Sequence, residues 1–132
     1  MPLDVYTANL IQKAKKHGTA YQGPTTIYLA LVTDYPTASV TGTAVTDATY
    51  ARLSFDQTTG WTDDDEGGLL ATNALTWPEA TADYSEDVVA IEVYTLAAGG
   101  QRLWYYLLDQ PVPVLAGTSF ELQADEFIDT VV

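Results

Sequence analysis

VVAIEVYTLAAGGQRLWYYLL, residues 88–108, decides how the rest of this 132-residue chain is read. Two apolar runs, 88–95 and 102–108, flank a segment at 96–101 that holds Gly99-Gly100. Adjacent glycines enter the positive-φ region without a Cβ clash, which suits the tip of a hairpin. In the first run Val89, Ile91 and Val93 alternate with Val88, Ala90 and Tyr94. In the second, Leu103, Tyr105 and Leu107 alternate with Trp104, Tyr106 and Leu108. A strand with one wet face alternates apolar and polar residues, whereas one apolar on both sides is covered on both. The spacing predicts a hairpin at the centre of the core, with Ile91 and Leu107 both buried.

Upstream, residues 25–33 (TTIYLALVT) read as a buried strand in which Ile27, Leu29 and Leu31 alternate with Tyr28 and Ala30. Asp34-Tyr35-Pro36 ends it, because a proline pushes its predecessor out of ladder geometry. Residues 37–49 are small, hydroxylated and unpatterned, and read as a surface loop. Residues 50–55 form a short strand with Leu53 and Phe55 on one face. Another strand spans 72–77 and is closed by Pro78, and 79–86 crosses over to the hairpin. Downstream, Pro111 and Pro113 suit an edge or connector. Ala116-Gly117-Thr118 is a turn, 119–123 a strand, and 127–132 an apolar-rich tail able to pair last.

Residues 2–17 give the only convincing helix. Asp4 can cap it, and Gly18 stands where helices end. Leu3, Tyr6, Leu10, Ala14 and His17 recur at three- and four-residue spacing and mark one stripe. The pattern predicts a mainly β chain, an antiparallel β-sandwich of about seven strands with one N-terminal α-helix. Residues 1–18 supply the helix and 19–132 the sandwich, as a single domain.

Eighteen acidic residues against five basic ones give a net charge of −13. Such a surface repels phosphate backbones and anionic lipid, which argues against nucleic-acid or membrane partners. No cysteine is present, so neither a disulfide framework nor a thiolate metal site is available. No apolar run approaches the ~20 residues of a membrane-spanning helix. Lys13, Lys15 and Lys16 follow Leu10-Ile11 too closely for a secretory h-region, so export is not expected. Two readings of these lysines stay open: they complement the helix dipole, or they dock an acidic partner.

The acidic run at 63–66 lacks the alternating ligands, central glycine and distal glutamate of an EF-hand loop, and reads as a solvated loop tip. His17 is the single histidine, and no glycine-rich phosphate loop, HExxH or GxSxG occurs. Carboxylates are too numerous for a glycosidase pair to be singled out. Tyr28, Tyr94, Trp104 and Tyr106 fall at strand positions that pack a core. No catalytic residue, metal ligand or cofactor is predicted, and the chain is not expected to be an enzyme.

The leading helix running into HGTAYQGPTTIYLALVT, the YARLSF strand, TNALTWPEATADYSEDVVAIEVYT, AAGGQRLWYYLL and AGTSFEL follow one another in order over most of the chain. This collinear set resembles small virion proteins of tailed bacteriophages, labelled as tail-fibre, minor tail or head decoration proteins. The acidic 63–66 run departs from that pattern. The resemblance implies a non-enzymatic structural protein assembled in the host cytoplasm and carried on the virion surface. Its expected role is capsid decoration, cementing the major capsid protein from outside, with self-association left open. A tail-tip or fibre-associated adhesion protein and a carbohydrate-binding module are the alternatives. The partner surface is expected on the helix, at Leu3, Tyr6, Leu10, Lys13, Lys15 and Lys16.

Overall fold

A computed structural model describes residues 3–17, 23–63 and 68–130. Its central strand is the first half of the hairpin. The strands are β1 (Thr26–Val32), β2 (Leu53–Asp56), β3 (Trp61–Asp63), β4 (Gly68–Ala71), β5 (Leu75–Thr76), β6 (Val88–Tyr94), β7 (Arg102–Val112), β8 (Glu121–Leu122) and β9 (Ile128–Thr130). One four-stranded sheet has the order β2-β1-β6-β7, and smaller sheets are formed by β3-β4-β9 and β5-β8. All pairings are antiparallel. The fold is mainly β, sandwich-like, with one α-helix, α1 (Val5–His17).

Gly99 and Gly100 have φ of 64° and 80°, the left-handed conformation expected at the hairpin tip. β6 is buried from Val88 through Val93 because β1 and β7 pair with its two edges and layers cover both faces. Ile91 pairs with Leu31 and Val93 with Leu29, so these side chains share one face of the sheet. They pack with Trp77, Phe120 and Phe127 in the main core. Trp61 stacks on Phe127 at 5.2 Å between centroids, and the Trp77 indole N–H donates to the Leu29 carbonyl at 3.1 Å. The Trp77 bond and the contact of Phe55 in β2 with Phe127, 5.7 Å between centroids, join the four-stranded sheet to the smaller ones, whereas the Trp61 stack lies at the β3-β4-β9 sheet.

The simple alternation expected for β6 is broken by a register shift between Val88 and Ala90. Val88 pairs with Val112 and Ala90 with Leu107, two residues along β6 against five along β7, so the ladder is interrupted there and the alternation does not carry across. Val88 therefore enters the main core with Ile91 and Val93, while Val89 joins Ala90 and Val32 in a second cluster. In β7, Arg102 to Tyr105 are buried, but the strand is an edge and its later half opens to solvent. Leu107, expected in the core, is 43 % exposed, because it pairs with Ala90 on the face turned away from the main core. Pro111 is tolerated because this strand is an edge.

Several expected boundaries contract. The strand expected at 72–77 is Leu75–Thr76, and that at 119–123 is Glu121–Leu122. The segment expected as a surface loop at 37–49 is instead bonded to the sheet. Thr33 N donates to Thr43 O at 2.9 Å and Val45 N to Leu31 O at 3.3 Å, extending the outer edge of β1 beyond β2. The tail pairs last as expected, β9 lying against β4. Residues 64–66 of the acidic run, with Gly67 and Gly18, lie outside the described residues.

The helix begins as read: Asp4 Oδ1 accepts the Tyr6 N–H at 3.1 Å. Its buried stripe is rotated from the expected one. Thr7 is buried and Leu10 and Ile11 half-buried, whereas Tyr6 is 47 % exposed. Leu3 bridges antiparallel to Trp104, and Asp4 N donates to Leu103 O at 2.9 Å. These contacts cover the otherwise open edge of β7, which explains why only its first half is buried.

Candidate docking surface

Arg102 fixes the helix start to the sheet. Its Nε donates to Asp4 Oδ2 at 2.8 Å, and Nη1 to Glu92 Oε2 at 2.6 Å. Nη1 also donates to the Val40 carbonyl at 2.9 Å, and Nη2 to the Thr37 carbonyl. Glu92 receives further hydrogen bonds from the Tyr94 hydroxyl and from Gly42 N, each at 3.0 Å. The Arg102 and Glu92 side chains are almost wholly buried, so each needs these partners to offset lost hydration. The network ties together β6, β7, the helix cap and the 37–42 turn. Burial first, and then the charge of Glu92, push the Tyr94 hydroxyl up to about 12.

The same network places the start of the helix beside the 37–40 turn. Val5 N donates to Ala38 O at 3.2 Å, and Thr37 and Val40 close a tight turn by reciprocal backbone bonds. Val5, Tyr6, Tyr35 and Val40 are large apolar or aromatic side chains left exposed on these adjoining segments. Lys13, Lys15 and Lys16 are exposed farther along the same helix, about 12–17 Å from Val5 along its axis at 1.5 Å per residue. The two arginines are engaged within the molecule. Arg52 Nη1 donates to the Leu96 and Gly99 carbonyls at 2.8 and 2.7 Å and lies over the Tyr94 ring, while Arg102 is buried. The cations offered to a partner therefore sit on α1.

Of the expected partner residues, Tyr6 and the three lysines are exposed, Leu10 is half-buried, and Leu3 is half-buried against the core and bridged to Trp104. Val5, Tyr35 and Val40 join them without having been foreseen. Val5 lies off the three-four stripe, and Val40 stands alone among small polar residues.

A second concave feature lies between residues 43–48 and 81–86, with a volume of about 550 Å³. Asp47 braces its walls. Its carboxylate accepts from the N–H and hydroxyl of Thr49, the N–H and hydroxyl of Thr81, and Ala82 N, at 2.9–3.2 Å. Desolvation works against the charge, but the bonds from Thr81 and Thr49 outweigh it and hold the carboxyl well below the usual range. Tyr84 lines the cleft half-exposed, its hydroxyl buried without a hydrogen-bond partner. Burial, and secondarily the charge of Asp47, raise the Tyr84 pKa. Among the described residues, no three histidine, cysteine, aspartate or glutamate side chains converge as a metal site would require.

Residues 2–128 match the family described as Podophage GP4 fiber I protein gp80, and the chain belongs to that family of bacteriophage virion structural proteins. No curated protein matches the chain.

Proposed function

From membership of a fibre family, we propose that this chain is a non-enzymatic structural subunit of the fibre apparatus on the virion exterior. It docks on another virion protein through the start of α1 and the adjoining 35–40 segment. The observation that carries this reading is the family match over residues 2–128, which takes in the helix as well as the sheets. Val5, Tyr6, Tyr35 and Val40 supply the apolar centre that an interface needs, and the helix lysines a polar rim. The clamp of Arg102 on Asp4 holds this surface in place before binding, so little ordering entropy is lost on docking. A net charge of −13 suits an exterior position, away from packaged nucleic acid.

The capsid partner expected from the resemblance gives way in this proposal to a fibre partner, because the family description names a fibre and the charge accords equally with either exterior site. Immunogold labelling of purified virions with antibody to this chain tests the placement. Label at the fibre apparatus is the expected result. Label spread over the head would replace the proposal with the decoration role, and label on neither would remove both.

A further inference from the structure

The cleft between residues 43–48 and 81–86 is not used by the docking surface, and its lining is chemically mixed. We propose that it is a binding site for a neutral saccharide. It is concave, and its volume of about 550 Å³ lies in the range of small-molecule sites, roughly 300–1,000 Å³. Its two walls are held together by three hydrogen bonds from Thr81 and Ala82 to Asp47, so the cavity is preformed.

The groups facing it select the ligand class. Thr46 and Ser85 are exposed, and their hydroxyls make no hydrogen bond to the described residues, leaving donors and acceptors for a ligand. Glu86 likewise offers a free carboxylate acceptor at the rim. Because the Tyr84 hydroxyl is buried, what that side chain can show the cleft is ring carbon, not oxygen. Ala44, Ala48 and Ala82 add further small apolar surface. A pyranose has this same division, with hydroxyls at its rim and an apolar C–H face that rests on an aromatic ring.

Charge narrows the choice further. Asp47, Asp83 and Glu86 would repel an anionic sugar or a phosphate. The Asp47 carboxylate accepts from Thr81 and Ala82 on the facing wall, and Asp83 Oδ1 accepts from Ala116 N at 2.8 Å. These neutral donors satisfy the acceptors of Asp47 and Asp83 without cancelling their charge. The hydroxyls and the Tyr84 ring, not the charge, therefore favour a saccharide over a cation, and cation binding is the competing outcome of the test.

A printed array of neutral saccharides containing glucose, galactose and N-acetylhexosamines, followed by ¹⁵N-¹H NMR titration with the retained sugar, tests the proposal. Retention is expected, with shift changes confined to residues 43–48 and 81–86. The double variant Thr46→Val, Ser85→Ala should weaken binding at least tenfold with an unchanged melting temperature. Tyr84→Phe should bind as the wild type does, whereas Tyr84→Leu, where it folds, should lose binding. Retention of no sugar, shifts elsewhere, or cleft shifts caused by tetralysine or calcium chloride in place of sugars would overturn the assignment. The site does not depend on where the chain docks: Lys→Glu variants on α1 should leave sugar binding intact whether or not they affect docking.

Discussion

Arg102 is the residue on which distant parts of the chain converge. It stands between two carboxylates, Asp4 and Glu92, and two carbonyls of the 37–40 turn. A buried ion cluster contributes little relative to a well-packed apolar one, but taking away one member leaves the others uncompensated, at about 3–5 kcal/mol. Arg102→Met should therefore lower the unfolding free energy by about that amount in urea denaturation, since two carboxylates then share the site. A loss below about 1 kcal/mol would show that water reaches them, as at an exposed pair. Tyr94, which donates to Glu92, gives the cluster a signature at high pH. Its pKa is pushed up to about 12, and burial also raises those of Tyr50, Tyr84 and Tyr106. The folded state keeps protons that the unfolded chain releases near pH 10. The stabilisation is thus complete below about pH 10 and is lost as pH rises towards 12. Denaturant unfolding across that window should show stability falling, more shallowly in Tyr94→Phe, while absorbance at 295 nm places phenolate formation late. A flat profile from pH 10 to 12 would contradict the burial of these hydroxyls.

At the level of elements, the two halves of the hairpin differ. Ile91 is fully buried in the central strand and Leu107 is 43 % exposed on the edge strand. Ile91→Ala should cost about 2–5 kcal/mol, through lost burial and the cavity left behind. Leu107→Ala should change stability by roughly 0.5 kcal/mol, as exposed substitutions do. Equal losses in chemical denaturation would place Leu107 in the core after all. β6 was legible because its apolar run, interrupted only by Glu92, requires cover on both faces. The break in the β6–β7 register between Val88 and Ala90 was not, since a period-two reading assumes uninterrupted pairing. Nor was the order in residues 37–45, whose links to the sheet run largely through backbone atoms that every residue type possesses. One signal was present: Glu92 and Arg102 each interrupt or open an apolar run, ten residues apart across the turn. Charges so placed need partners, and they find each other and the 37–42 turn. The candidate surface was half legible. The lysines announced themselves by composition, whereas the helix stripe was drawn through Tyr6 because Thr7, the residue actually buried, is polar. The small sheets were the hardest to bound, since Leu75–Thr76 and Glu121–Leu122 are too short for any periodicity to register.

For the whole molecule, charge decides how it meets a partner. Eighteen acidic residues against five basic ones leave broad negative faces that repel another acidic protein. The arginines are engaged internally, so Lys13, Lys15 and Lys16 are the cations that can reverse this locally. An exposed ion pair contributes about 0.2–1 kcal/mol, so three together supply roughly 1–3 kcal/mol. Tenfold in affinity corresponds to about 1.4 kcal/mol. The apolar patch must then provide most of the affinity, with the lysines governing approach and salt dependence. Changing all three to Glu removes three positive charges and adds three negative ones, taking the net charge from −13 to −19. The side chains are exposed, so circular dichroism and the melting temperature should change little. Binding of the purified variant to fibre-apparatus protein should fall by about tenfold or more near 0.05 M salt. The gap from wild type should close as salt rises, because screening acts over ~8–10 Å at 0.1–0.15 M ionic strength. Val5→Ala, Tyr6→Ala should instead weaken binding at every salt concentration, by lost apolar contact, without altering the salt slope. A folded triple-Glu variant that binds at wild-type affinity with the wild-type slope would show that α1 faces away from the partner, and the docking surface would then have to be sought on the edge of β7.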